Sequence, residues 1–438
     1  MFICQECGYS SKKWLGKCPQ CNSWNSFIEE DEKKVKFFKP SNLKPLSLNE
    51  IKSSSTERIL TKIEEFDRII GGGLVKGQVL LIGGSPGIGK STLLSQILAN
   101  LSDEKDKGFY ISAEESLAQI KLRFDRLNIE NQNIFFISEN NLTKIIPVIE
   151  KYRPKFIVVD SIQTVYSENL TSIPGSVTQI RECTSILTDF TKKNEAIVFI
   201  IGHITKEGAI AGPKILEHMV DTVLYFEAEK NSIYRIIRVL KNRFGPINEI
   251  AVFEMKKDGL KEIKNPSEIF IEQDKEKNIG STIFPTIEGT RSILVEVQAL
   301  VSDTSFSIPR RTAQGLDINR INILIAILEK SLGINFFNKD IFVNIPGGIK
   351  INDPAVDLPV CISILSSYLN KEIDKNLACF GEIGLTGEVR TTSFSDLRIK
   401  EALRMGYTKI IMPESGREFY NAKIITISTI NDILQYIN

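Results

Sequence analysis

The chain has 438 residues, a formal net charge of +1, 42% apolar residues and 25% charged ones. That length holds two or three domains with cores of their own, and the composition is that of a soluble globular protein. The near-zero charge excludes a global attraction for nucleic acid, so any such contact needs local basic patches, and no apolar run approaches the ~20 residues that span a bilayer.

Residues 1–27 read as a cysteine module. Cys4 and Cys7 form one CxxC pair, Cys18 and Cys21 a second, with ten residues between the pairs. Two such turns present four thiolates to one ion, the tetrahedral set of a structural Zn²⁺ site. A segment this small has almost no core, so the metal would supply its folding free energy. The rival reading is a redox dithiol, which needs one CxxC beside a thioredoxin-like unit. Lys12, Lys13, Lys17, Trp14 and Trp24 are candidates for touching nucleic acid or a partner protein, with a solvated face as the alternative. The early cysteines and charges leave no room for the apolar stretch of a secretion signal. Cys183, Cys361 and Cys379 lie in apolar or helical surroundings as reduced core thiols, so the expected compartment is cytoplasmic.

Residues 28–56 form a linker that begins with the charged run Glu29–Lys34 and ends near Ser53-Ser54-Ser55. From 57 to 265, short β-branched runs alternate with helical ones. Phe109–Ile111, Ile134–Ile137, Phe156–Val159 and Ala196–Ile201 predict strands; Leu117–Leu127 and Ser176–Lys192 predict helices. Continuous apolar strands of this kind belong to a mostly parallel sheet buried on both faces.

Within this α/β segment, Val79–Ile82 runs into Gly84-Ser85-Pro86-Gly87-Ile88-Gly89-Lys90-Ser91-Thr92 and then into a helical stretch. This is the P-loop pattern in the strand–turn–helix setting that it requires. Glycines let backbone N–H groups converge on phosphate oxygens at a helix N-terminus. Lys90 would reach the β- and γ-phosphates of ATP, and the Ser91 hydroxyl would ligate Mg²⁺. Asp160, at the end of Phe156–Val159, is the expected acidic partner of that Mg²⁺. Glu114, with Glu115 second, is the candidate to orient or deprotonate the attacking water; the bland alternative is a helix N-terminal acid favoured by the dipole. His203 ends another strand, where a polar residue could sense the γ-phosphate. The loop after it carries Lys206, Gly208, Gly212 and Lys214, a flexible basic stretch suited to a phosphate backbone.

Leu240–Pro246 joins Ile233–Ile237 to Ile250–Phe253 and is expected to be a hairpin tip bearing Lys241 and Arg243 outward. From about 280 to 438, strands at Ser292–Val301 and Ile341–Asn344 mix with helices at Asp317–Leu332, Ala355–Leu369 and Ser395–Met405, an α+β pattern.

The cysteine pairs, the P-loop, Ala113-Glu114-Glu115-Ser116 and above all Lys241-Asn242-Arg243-Phe244-Gly245 together resemble the RadA (Sms) family of bacterial DNA repair proteins over essentially the whole chain. The resemblance implies a RecA-like P-loop ATPase core between a four-cysteine zinc finger and a Lon protease-like domain at 280–438. It also implies a homo-hexameric, DNA-dependent ATPase of homologous recombination, which moves on single-stranded DNA and promotes branch migration of recombination intermediates. Recombinase or replication proteins would be its partners, and no membrane is involved. In such a ring, Lys241 or Arg243 could reach the neighbour's γ-phosphate or DNA. The alternative is a RecA-like ATPase switch that acts on proteins.

In the Lon-like tail, the family's serine nucleophile falls in Asn352–Asp357 and its lysine base follows the element Gly381–Val389. Here the two positions read Ala355 and Arg398. Alanine has no nucleophile and arginine is never a neutral base near pH 7, so proteolysis is not expected. The domain would scaffold the ring and offer Arg310, Arg311 and Arg320 to phosphates, with salt-bridged surface arginines as the alternative.

Overall fold

Alternating burial on both faces of one strand organises the nucleotide domain. In Val79–Gly84, Leu80 and Ile82 pack into one apolar cluster while Val79 and Leu81 pack into another. Successive side chains point to opposite faces, so a strand apolar at every position must be covered twice. This computed structural model describes residues 2–4, 9–29, 57–203, 215–228, 232–271, 279–306, 308–414 and 423–437. It divides the chain into two compact units, Met1–Ala228 with Ile233–Ile263, and Glu229–Ser232 with Lys264–Asn438.

Val79–Gly84 sits in a nine-stranded sheet. On one side it pairs in parallel with Ile197–His203, followed by Phe156–Asp160, Gly108–Ser112 and Ile134–Ser138. On the other it pairs in parallel with Thr222–Glu227, beyond which Tyr234–Asn242, Ile250–Lys256 and Gly259–Ile263 run antiparallel. The register sets Gly84 against His203 and Ser112 against Asp160. Four strands from distant parts of the sequence therefore end on one edge, the usual place for a ligand in an open parallel sheet.

The cysteine module is a small three-stranded sheet in which Phe2–Cys4 is flanked by Ser10–Ser11 and Phe27–Glu29. Among the described residues its buried core is Cys4, Cys18 and Phe27.

The second unit has a mixed seven-stranded sheet in the order Arg311–Gln314, Lys339–Asn344, Arg291–Asp303, Ser281–Glu288, Leu377–Cys379, Lys409–Pro413, Lys423–Ile427. Helix Asp357–Leu369 packs on Ser281–Glu288 and Arg291–Asp303. This helix starts later than the apolar periodicity from Ala355 predicts. Pro354–Val356 forms a 3₁₀ turn instead, capped by Asp353, whose carboxylate accepts from Ala355 N at 3.1 Å. Proline fits the first turn of a helix because its missing N–H would have no partner there.

Candidate nucleotide site

At the strand-end edge lies a cavity of about 840 Å³ lined by Gly87, Gly89, Lys90, Ser91, Thr92, Glu114, Glu115, Asp160 and His203, among others. The strand Val79–Gly84 delivers the loop, and helix Lys90–Leu101 leaves it. Gly89 has φ +118°, and a Cβ there would meet Met255 Cε at 2.7 Å. The left-handed φ favours glycine at the residue that turns the chain into the helix, while the Met255 methyl, at the end of a flexible side chain, could give way.

Lys90 is 4% exposed and donates to Gly84 O at 2.7 Å and Ser85 O at 3.0 Å. Burial pushes its ammonium down to about 8, opposed by the charges of Asp160 and Glu114. The Lys90 ammonium also lies 3.3 Å from His203 Nδ1, while His203 Nε2 lies 3.4 Å from Glu114 Oε1. One neutral tautomer satisfies both contacts: Nε2–H donates to Glu114 and Nδ1 accepts from Lys90. Glu114 also accepts from the Ser161 hydroxyl. The His203 hydrogen bond chiefly holds the Glu114 carboxyl below the usual carboxylate range; Ser161 adds to this and burial opposes it. Glu114 is thus an ionised carboxylate at the cavity wall.

The four residues Ala113–Ser116 are explained by the turn they make. The Ser112 hydroxyl accepts from Glu115 N at 3.0 Å, and Ser116 begins helix Leu117–Arg126 with a capping box to Gln119. Several lining residues carry no motif of their own: Arg123, Arg126, Arg235, Lys256 and Lys257. Arg235 fixes the loop from the neighbouring ribbon, donating from Nε to Ile88 O at 2.9 Å. Only the tertiary fold brings that ribbon to the P-loop.

An open, positive, glycine-turned cradle fits a triphosphate. Gly87 faces free space where a Cβ would stand, and Lys90 bends back on its own loop carbonyls. Ser91 and Asp160 add hard oxygen donors, the kind Mg²⁺ takes. The cysteine module passes the same test for Zn²⁺. The sulfurs of Cys4, Cys18 and Cys21 all lie within 4.8 Å of one another, with Cys4 and Cys21 at 3.6 Å. Cys7, Lys206, Gly208, Gly212 and Lys214 lie outside the described residues.

Known proteins resemble this chain in sequence. Residues 2–29 match the family described as a rubredoxin metal binding domain, 59–143 and 136–267 the family described as KaiC, and 318–416 the family described as subunit ChlI of Mg-chelatase. The DNA repair protein RadA of Halalkalibacterium halodurans is 47% identical over 99% of this chain and 97% of its own length. That of Bacillus subtilis is 50% identical over 95% of this chain and 92% of its own.

The chain belongs to the RadA family of DNA repair proteins.

Its parts follow suit: a zinc ribbon, a RecA-like ATPase fold and a Lon-like C-terminal domain. Among solved structures, a KaiC-like protein of Pyrococcus horikoshii OT3 aligns at 20% identity and a TM-score of 0.41, covering 48% of this chain and 99% of that one.

The RadA pentapeptide at 241–245 differs in one respect from the expected outward tip. Lys241 and Asn242 still belong to strand Tyr234–Asn242, after a register shift between Val239 and Lys241. Lys241 turns inward and donates to Glu217 O at 2.6 Å and Val220 O at 2.8 Å, closing the C-terminal end of helix Ile215–Met219. Arg243 alone stays half-exposed, 3.2 Å from Asp221 Oδ1. Asn242 holds the turn, accepting from Phe244 N at 3.0 Å and donating to Ile70 O at 3.1 Å. A Cβ on Gly245 would stand 2.7 Å from Gly71 Cα, so the two backbones touch and only glycine fits.

Neither cation touches the cavity of its own chain. Asn242 pairs with Thr222 at the N-terminal end of Thr222–Glu227, and Asp221 accepts from Val79 N. The P-loop is at the far end of Val79–Gly84, about 17 Å away at ~3.3 Å per residue.

In the Lon-like domain, Ala355 is fully buried and Arg398 is 2% exposed. The structure sets Arg320 a different task from the expected phosphate contact. Its Nε donates to Asp357 Oδ1 at 2.9 Å, and Nη2 bonds Asp357 Oδ2 and Ile383 O. Asp357 is fully buried, so its charge requires this partner. Arg310 forks onto Asp340 from Nε and Nη2 at 3.1 and 2.8 Å and stacks on Phe306 at 4.4 Å, yet stays half-exposed. Arg311 begins an edge strand, partly buried.

Proposed function

We propose that this RadA-family protein is a DNA-dependent ATPase working as a ring on single-stranded DNA, whose hydrolysis cycle drives branch migration of recombination intermediates. One observation carries the reading. A half-exposed arginine of the pentapeptide stands at the edge of the sheet opposite its own nucleotide cavity, so a role in hydrolysis for Arg243 has to be played on a neighbouring copy.

In this reading the loop N–H groups of residues 84–89 and the Lys90 ammonium hold the β- and γ-phosphates. Ser91 and Asp160 would hold Mg²⁺, which when bound neutralises phosphate charge. Glu114, already ionised, orients the attacking water and accepts its proton. His203, bonded to both Glu114 and Lys90, senses the γ-phosphate. Arg243 of an adjacent copy stabilises the charge that develops on the leaving phosphate. The C-terminal domain scaffolds the ring and cleaves no peptide bond, since Ala355 has no nucleophile. Arg310 and Arg311 remain its candidate phosphate contacts; Arg320 does not.

Mixing copies tests the trans step. Lys90→Ala and Arg243→Ala should each be inactive alone, and mixed rings should regain part of the DNA-stimulated turnover, because one interface then carries both intact halves. Mixtures that stay as dead as the separate variants would refute the trans arginine. Wild-type turnover indifferent to single-stranded DNA would favour a switch acting on proteins.

A further inference from the structure

Tyr110 occupies a core position of strand Gly108–Ser112 between apolar neighbours, with none of its surface exposed. Phenylalanine would fill that space without a hydroxyl to satisfy, and burying an unbonded hydroxyl is costly. Here the hydroxyl is fully used. It donates to Asp160 Oδ2 at 2.5 Å and accepts from Arg123 Nη1 at 2.8 Å.

Arg123 reaches in from helix Leu117–Arg126 with its side chain 9% exposed. Its Nη1 lies 3.8 Å from Asp160 Oδ2, and its Nη2 pairs with Glu115. The same guanidinium therefore braces the carboxylate expected at the metal and the residue next to Glu114. Both interactions with Asp160 fall on Oδ2. Among the described residues, no donor bonds Oδ1.

We infer that Tyr110 and Arg123 are positioning residues of the nucleotide site, which anchor Asp160 through one oxygen and reserve the other for the Mg²⁺ that accompanies a triphosphate. The inference rests on the reading of Asp160 given above. It assigns these two side chains a task that packing alone does not need, and it explains a tyrosine where the core calls for phenylalanine. Without these contacts to Oδ2, the Asp160 carboxylate is free to rotate about its own side-chain bonds, and its other oxygen is no longer held out for the metal.

The test uses the full chain and a non-hydrolysable ATP analogue, titrated by calorimetry with and without Mg²⁺. Tyr110→Phe should bind the analogue as wild type does in the absence of metal. The Mg²⁺ concentration giving half of the metal-dependent gain should rise on the order of tenfold, the worth of one hydrogen bond to a charged group. Arg123→Lys, which keeps the charge and loses the fork, should show a rise in the same direction. Unchanged metal dependence in both variants overturns the inference. So does loss of the folded state in both without ligand, because a positioning role predicts a chain that still folds. Failure of the wild type to bind the analogue at all would strike the nucleotide reading instead.

Discussion

Arg398 Nη1 lies 2.6 Å from Asp353 Oδ2, joining helix Ser395–Arg404 to the loop that holds Ala355. The same nitrogen donates to Pro285 O at 2.6 Å, and the guanidinium sits between the rings of Phe284 and Phe380, 5.7 and 5.6 Å from their centres. At the two positions where the Lon resemblance places a serine and a lysine, this chain has a methyl group and a brace. Asp353 also caps the 3₁₀ turn and accepts from Ile287 N at 3.2 Å, so the ion pair fixes the loop that carries Ala355.

Arg398→Ala should accordingly destabilise the C-terminal unit by about 3 kcal/mol, the usual cost of leaving one partner of a buried pair alone. Thermal unfolding of the full chain would show it as an earlier transition. Nucleotide binding, built from other residues, should be unchanged. An unshifted melt would mean that the brace contributes nothing.

The buried Lys90 gives nucleotide affinity a definite pH dependence. Its ammonium titrates at about 8 in the free site, and phosphate oxygens around it would raise that value in the complex. Above pH 8 binding must take up a proton, so affinity is constant below that pH and falls by up to tenfold per unit above it. Fluorescent-nucleotide titrations without metal, from pH 7 to 9.5, measure this directly. A flat profile would contradict the burial of Lys90.

Metal removal should act on the cysteine module alone. Among the described residues its buried core is Cys4, Cys18 and Phe27, a small cluster to hold three strands without an ion. A strong chelator should release one Zn²⁺ per chain and expose thiols to a colorimetric reagent, while nucleotide binding persists. Thiols that react at the same rate with and without chelator would argue against a metal there.

How much of this was legible in the sequence depends on whether the signal is local. The strands of the parallel sheet announce themselves because burial on both faces requires continuous β-branched runs, as in Phe156–Asp160. The P-loop is likewise a local pattern with a local geometry. Tyr110, Arg123 and Arg235 escaped notice because their roles exist only across strands: Arg123 meets Asp160 through a phenol fifty residues away in sequence. A hairpin tip ordinarily exposes its cations, which is why the sequence alone points Lys241 outward. The register shift before it and the carbonyls of helix Ile215–Met219 turn it in, and no spacing rule reports either. Arg320 is a similar case, since the buried Asp357 that claims it lies on another helix.

The inward turn of Lys241 separates it from Arg243 in a way that mutation can read. Lys241 satisfies two carbonyls at a helix end, Glu217 O and Val220 O. Lys241→Ala should thus cost roughly 1 kcal/mol of stability, the net worth of an ordinary internal hydrogen bond or somewhat more, and should loosen Ile215–Met219. Burial lowers the Lys241 ammonium, with Arg243 adding, which is the response of a side chain drawn in from water. Among the described residues, Arg243 bonds Asp221 and, more weakly, His218 O, and half of its side chain faces solvent. Arg243→Ala should leave the melting temperature within a degree or so, since exposed ion pairs contribute at most about 1 kcal/mol. Its damage should appear in DNA-stimulated turnover and branch migration, with single-chain nucleotide binding intact. Paired measurements of melting and DNA-stimulated ATPase on both variants decide the matter. An Arg243→Ala chain that melts early, or a Lys241→Ala chain as stable as wild type, would reverse the two roles.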